Sequence, residues 1–196
     1  MAERELTAAQ WRAYGGTDFP GRAWSVDGNV LRAVAGGERV DLITRDSCGD
    51  FTLLFDWRLP RGGISQVLCR VDESAGPAAQ TGPALQLLDD EHHAEGANAL
   101  TSCGALYALM APWRDQRSAA NAYHSGRLVT RGSNIEYWID DHQVIGCDLA
   151  SVELRARIAH SRFRDFPRFA RLPAGHIVLR HCGTEAWFRR LRLETS

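Results

Sequence analysis

The chain has 196 residues, 44% of them apolar, and a formal net charge of −1. That length is enough for one sizeable hydrophobic core and reads as a single domain over 1–196. The near-neutral balance excludes a global field for nucleic acid or anionic lipid, which leaves a small or neutral partner.

From the N-terminus, residues 6–13 suggest a helical turn with Thr7 as N-cap. Turn signals follow at Asp27-Gly28 and Gly36-Gly37, and then segments rich in aromatic and branched residues begin. The first of these, 51–59, ends at a Gly62-Gly63 turn, and 66–71 and 84–88 come next. After the loops 89–102 and 111–125, strands are expected at 127–130 and 135–139, closed by Asp140-Asp141. A short helix capped by Ser151 is expected over 151–160, then a loop over 161–174. Strands at 176–179 and 187–193, with a turn at Cys182-Gly183, complete the chain. Many short strands with few short helices define an all-β class, and long loops in such a sandwich commonly carry function.

All 23 basic residues other than histidine are arginine, a bias that composition explains more simply than a selected binding chemistry. The Arg-rich stretch from Arg155 to Arg171 is interrupted by Asp165 and sits in a neutral whole, so nucleic acid is not the expected partner. Five cysteines, Cys48, Cys69, Cys103, Cys147 and Cys182, form an odd set without a C-x-x-C spacing. They read as free, mostly buried thiols rather than disulfides or a zinc site. The opening Met-Ala-Glu-Arg-Glu lacks the apolar core of a signal peptide and no later run is long enough to span a bilayer. The expected location is the cytoplasm, with no membrane partner.

Seven segments in order resemble the 3-keto-disaccharide hydrolase family: WSVDGNVL (24–31), GDFTLLFDWRL (49–59), RGGISQVLCRV (61–71), GPALQLLDDEHH (82–93), CGALYALMAP (103–112), SRFRDFPRFARLPAGHIVLRHCG (161–183) and AWFRRLRL (186–193). The resemblance covers 11–193 and implies a concanavalin-A-like jelly-roll β-sandwich. It further implies a sugar ligand oxidised to a ketone at carbon 3. That ketone acidifies the carbon 2 hydrogen, so a base can remove it, the carbon 1 leaving group departs, and water adds afterwards. Such a route needs a base, a cation or donor for the enolate, and an acid for the leaving group. Paired glycosidase carboxylates are not required.

Candidate residues follow from this resemblance and from strand parity. His93 and Asp89 match the family pattern and are candidate catalytic groups, with His181 a replacement base. Arg70, Gln86, Asp90, Tyr107, Trp138 and Arg180 are candidate sugar contacts; Trp113 is a further stacking candidate. Parity places Arg70 and Gln86 in one groove provided neither strand is bulged. Each has an ordinary alternative: a strand-end salt bridge for Arg70, a turn cap for Asp89, a core position for Tyr107, a packed residue for His181. The acids and His93 are compatible with a divalent metal, without defining its ligands.

Departures from the family pattern occur at Ile64, Ala84, Tyr137 and Cys182, which parity assigns to the same inward set as Arg70 and Gln86. Substitution concentrated there leaves two readings: a 3-keto-glycoside-cleaving enzyme, or a non-catalytic carbohydrate-binding or partner subunit on the same fold. Cys182 is either a soft ligand or nucleophile or, more simply, a packed thiol.

Overall fold

The computed structural model describes residues 2–114 and 118–195. In chain order the strands are β1 (Ala2–Glu5), β2 (Trp11–Ala13), β3 (Trp24–Asp27), β4 (Val30–Ala33), β5 (Leu42–Thr44), β6 (Phe51–Arg58) and β7 (Ile64–Val71). They continue as β8 (Ala84–Leu88), β9 (His124–Arg131), β10 (Asn134–Ile139), β11 (His142–Asp148), β12 (His176–Arg180) and β13 (Ala186–Thr195), with the helix α1 (Val152–Ala159) between β11 and β12.

Two antiparallel sheets form the jelly-roll sandwich. The larger runs β11-β10-β9-β6-β13-β4-β3, with β1 also paired to β13; the smaller runs β2-β5-β12-β7-β8. Neighbours in the sheets come from distant parts of the sequence, such as β6 beside β13, so tertiary packing rather than local hairpins sets the order.

Period-two patterning explains why the larger sheet has one dry face. Along β6, Phe51, Leu53, Phe55 and Trp57 turn inward and are buried, while Leu54, Asp56 and Arg58 are less so. Phe188, Leu191 and Leu193 of β13 and Trp24 of β3 join them, with Leu85, Leu87 and Leu179 across the sandwich. Each such side chain contributes roughly 1.5–3 kcal/mol from burial. By contrast β7 and β8 are buried almost throughout, so their outer face is covered as well as their inner one.

Two expectations change in detail. The helical turn at 6–13 is a single 3-10 turn, Ala8–Gln10, because Trp11 enters the core as part of β2 opposite Thr44. Thr7 still organises it: its N–H and Oγ donate to Gln10 Oε1 at 2.9 and 2.8 Å. Over 151–160, α1 forms as expected, with Ser151 Oγ accepting from the Leu154 N–H at 3.2 Å. In β7 the register with β12 shifts between Leu68 and Val71, and Arg70 adopts a positive φ of 54°. This bulge reverses the parity on which the orientation of Arg70 depended. Its guanidinium is buried and donates to the Gly132 carbonyl in the turn between β9 and β10.

Candidate functional site

Register aligns the outward residues of the smaller sheet in two rows. Arg180 of β12 stands opposite Gln66 of β7, which stands opposite Gln86 of β8. One pleat along, Ile43, Val178, Leu68 and Ala84 are matched in the same way and form an apolar row. The segment 104–107 extends the sheet beyond β8: the Gly104 N–H donates to the Gln86 carbonyl at 2.8 Å, and the Tyr107 N–H to the Ala84 carbonyl at 2.9 Å. Tyr107 thereby packs at the end of the apolar row.

The polar row is a continuous chain of hydrogen bonds. Arg180 Nη1 donates to Gln66 Oε1 at 2.8 Å, Gln66 Nε2 to Gln86 Oε1 at 2.8 Å, and Gln86 Nε2 to Glu95 Oε2 at 2.9 Å. A guanidinium can only donate and a carboxylate can only accept, so the two ends fix the orientation of both glutamine amides between them. Tyr107 Oη lies 3.5 Å from the other Glu95 oxygen and accepts from Arg162 Nη1 at 3.1 Å. Gln66 and Gln86 are buried, and this pairing offsets the desolvation of their amides.

At the far end Arg180 approaches Asp41, with Nε 4.0 Å from Oδ2. Burial pushes the Asp41 carboxyl above its ordinary range, against the His181 amide, which donates to Oδ1 at 2.8 Å, and the Arg180 charge. Tyr107 is also pushed up, by burial and then by Glu95, and is therefore a protonated phenol at neutral pH. Glu95 itself is presented by a 3-10 turn, Ala94–Ala97, whose cap is His93: His93 Nδ1 accepts from the Glu95 N–H at 3.2 Å.

Of the residues expected from sequence, Gln86, Tyr107 and Arg180 are brought together here. His93 is adjacent, but it holds the turn that carries Glu95. It also lines a cleft of about 660 Å³ with Asp90, Glu91, Ser102, Pro112 and Arg114. Asp89 is a buried loop tie: its Oδ2 accepts from the Gly62 N–H at 2.7 Å and contacts His92 Nδ1 at 2.9 Å. Asp90 Oδ1 accepts from the Cys103 N–H at 2.8 Å, securing the base of the same loop.

Three expected members lie elsewhere. His181 is buried edge-on against Trp24; its Nδ1 accepts from the Gly183 N–H at 3.1 Å and its Nε2 reaches the Val34 carbonyl at 3.1 Å. Both ring nitrogens are engaged in packing, which does not suit a replacement base. Arg70 is carried to the opposite sheet by its bulge. Trp138 projects from the outer face of the larger sheet, where Arg127 lies 3.9 Å over its ring and its Nε1 donates to Glu136 at 2.9 Å. Trp113 is exposed, and its ring lies beside Gly146 of β11 on the same sheet.

The four departures from the family pattern also separate. Ile64 and Ala84 share parity with Gln66 and Gln86, whereas Tyr137 is fully buried between the sheets. Burial pushes the Cys182 thiol up to about 11, which leaves it un-ionised at neutral pH. Among the described residues no three His, Cys, Asp or Glu side chains form a group able to hold a metal ion. The acids of the 89–93 segment do not converge with His93: Asp89 and Asp90 point to Gly62 and Cys103.

Sequence reasoning missed Gln66, Glu95, Asp41 and Arg162. Gln66 carried the same signal as Gln86, a glutamine inside an apolar strand. Glu95 carried none, since it is one acid among several in the 89–102 loop and only the fold turns it toward Gln86.

Two antiparallel sheets of this order define the chain as a jelly-roll β-sandwich, a class whose members are distinguished by their sites rather than their fold. More narrowly, the chain belongs to the 3-keto-alpha-glucoside-1,2-lyase-like domain family, whose model matches residues 5–194. A search of curated proteins finds no match. Among solved structures, a candidate glycosyl hydrolase from Parabacteroides distasonis ATCC 8503 superimposes with a TM-score of 0.87 at 20% identity, covering 96% of this chain and 89% of that one. A second from the same organism gives 0.78 at 21% identity over all of both chains. The carbohydrate-binding module CBM66 from Bacillus subtilis gives 0.59 at 16% identity, covering 95% and 96%. These likenesses establish the shared fold.

Proposed function

We propose that the protein cleaves the glycosidic bond of 3-keto-glycosides by elimination followed by hydration, at the rim of the smaller sheet where Arg180, Glu95 and Tyr107 are partly exposed. The observation that carries the reading is the Arg180–Gln66–Gln86–Glu95–Tyr107 chain, which supplies within one row the base, cation and acid that the reaction needs. Membership of the 3-keto-alpha-glucoside-1,2-lyase-like domain family supports this choice of substrate class.

In this reading Glu95 takes the proton from carbon 2, and the C–H electron pair moves into the enolate whose oxygen was the carbon 3 ketone. Arg180 faces that oxygen, its charge steadied by Asp41. The enolate then expels the carbon 1 substituent, breaking the glycosidic bond, and Tyr107, protonated at neutral pH and contacted by Arg162, gives the leaving oxygen its proton. Water adds across the resulting enone to give the free 3-keto sugar.

The test is a mass-spectrometric time course on a panel of 3-keto-glycosides in deuterated water, for the wild type and Glu95→Gln. Turnover by the wild type and its reduction by roughly 10²–10⁴-fold in the variant is the expected result. Substrate that stays intact with folded wild-type protein overturns the reading. His93→Ala should retain most activity, because His93 positions the turn rather than the proton.

A non-catalytic carbohydrate-binding role is favoured by one observation: Ile64 and Ala84 place apolar side chains on the face that carries the polar row. That role requires saturable sugar binding with no turnover by the wild type.

A further inference from the structure

The outer face of the larger sheet holds a second ordered row, unconnected to the first. Ser25 of β3 stands opposite Arg32 of β4, Arg32 opposite Trp187 of β13, and Trp187 opposite Arg58 of β6. His124 of β9 stands opposite Trp57, so Tyr123 continues the row beyond Arg58. Cation and ring alternate along it. The Arg32 and Arg58 guanidinium carbons lie 5.4 and 4.0 Å from the Trp187 ring, Arg58 lies 5.1 Å from the Tyr123 ring, and Arg189 lies 3.7 Å from Tyr123. A cleft of about 210 Å³ opens over this row, lined by Ser25, Asp27, Arg32, Arg58, Tyr123 and Trp187.

Neighbouring arginines are neutralised: Arg32 pairs with Glu185, and Arg189 and Arg190 pair with Asp56 at 2.9 and 3.5 Å. Arg58 has no ion-pair partner among the described residues, and its Nε is buried with no hydrogen-bond partner. A guanidinium stays charged at any physiological pH, and an unmet buried donor on it is costly to fold. Contact with two rings limits the freedom of its planar fork, which lowers the entropy lost when a carboxylate docks bidentately. The arginines of both flanking strands already lie against the indole, so Trp187 is not free to stack on a sugar ring. Recognition in this cleft is by charge, with Asp27 and Ser25 available to sugar hydroxyls.

We propose that this cleft is a second saccharide site that takes the carboxylate of a sugar acid on Arg58. It stands apart from the polar row and from whatever that row cleaves. Isothermal titration with tri-galacturonate, maltotriose and acetate tests it. The wild type should bind tri-galacturonate, more weakly as salt rises, and should bind maltotriose and acetate at least tenfold less well, by about the factor a charge-assisted hydrogen bond supplies. Arg58→Gln should weaken tri-galacturonate binding by about tenfold or more, and Arg58→Lys should recover only part because the fork is lost. Glu95→Gln should bind as the wild type does, which keeps this result independent of the catalytic proposal. Should Arg58→Gln not fold, Asp27→Asn, which removes a like charge from the cleft and keeps an oxygen for sugar hydroxyls, must strengthen the same binding. No binding of tri-galacturonate, equal binding of acetate, full affinity in Arg58→Gln, or unchanged or weaker binding in Asp27→Asn overturns the proposal.

Discussion

Asp89 shows how one buried carboxylate ties together the loop that carries Glu95. Burial alone would push its carboxyl up, but the Gly62 amide and His92 more than offset this and hold it below the usual range. Because the folded value is depressed, its contribution to stability is present above the ordinary carboxylate pKa and is lost as pH falls through the depressed one. Asp89→Ala should cost about 1–3 kcal/mol near neutrality. Thermal melts taken from neutral to acid pH should show the gap between wild type and variant closing. His181 was a candidate replacement base from the sequence, with a packed residue as the simpler reading. Nothing in the linear order shows that both of its nitrogens are consumed by Val34 and Gly183.

At the scale of elements, the strand positions of the site follow from register, and register depends on close backbone and ring packing. Gly126 of β9 stands opposite Phe55 of β6, and a Cβ there would lie 2.4 Å from the phenyl ring. Gly126→Ala should therefore destabilise the protein by about 1–3 kcal/mol through overpacking. Chemical denaturation checks this, and Phe55→Leu in the same chain should recover part of the loss, because the two changes share one contact. The bulge at Arg70 is the complementary case. A Cβ on Gly175 would fall 2.5 Å from the Arg70 carbonyl carbon, so a loop some hundred residues later is packed on the bulge and helps hold it. Parity was a sound rule for Gln66, Leu68, Ala84 and Gln86, and it failed at Arg70, where that long-range contact acts, and at Tyr137, which is buried between the sheets.

For the whole molecule, the two sheets enclose thiols as well as hydrocarbon. Burial pushes Cys69 and Cys103 up to about 12 and Cys48, Cys147 and Cys182 up to about 11. At neutral pH the folded protein should thus react slowly with thiol reagents at all five positions. Labelling followed by mass spectrometry across a denaturant series should track global unfolding. A cysteine labelled quickly under native conditions would identify a region that opens independently.

By itself the sequence determined the all-β class, the main strands from Phe51 onward, the capped helix α1 and the family. Those rest on patterns of two or of three to four residues, and on ordered segments, that are written along the chain. It also marked Gln86, a polar group within an apolar strand, and, through the family resemblance, Tyr107 and Arg180. Only the tertiary structure decided that Glu95 closes the polar row, that Arg70 and Tyr137 lie away from it, and that Arg58 is left without a counter-ion. Each of these depends on which distant strand lies alongside, and a contact between residues far apart in sequence leaves no local signature.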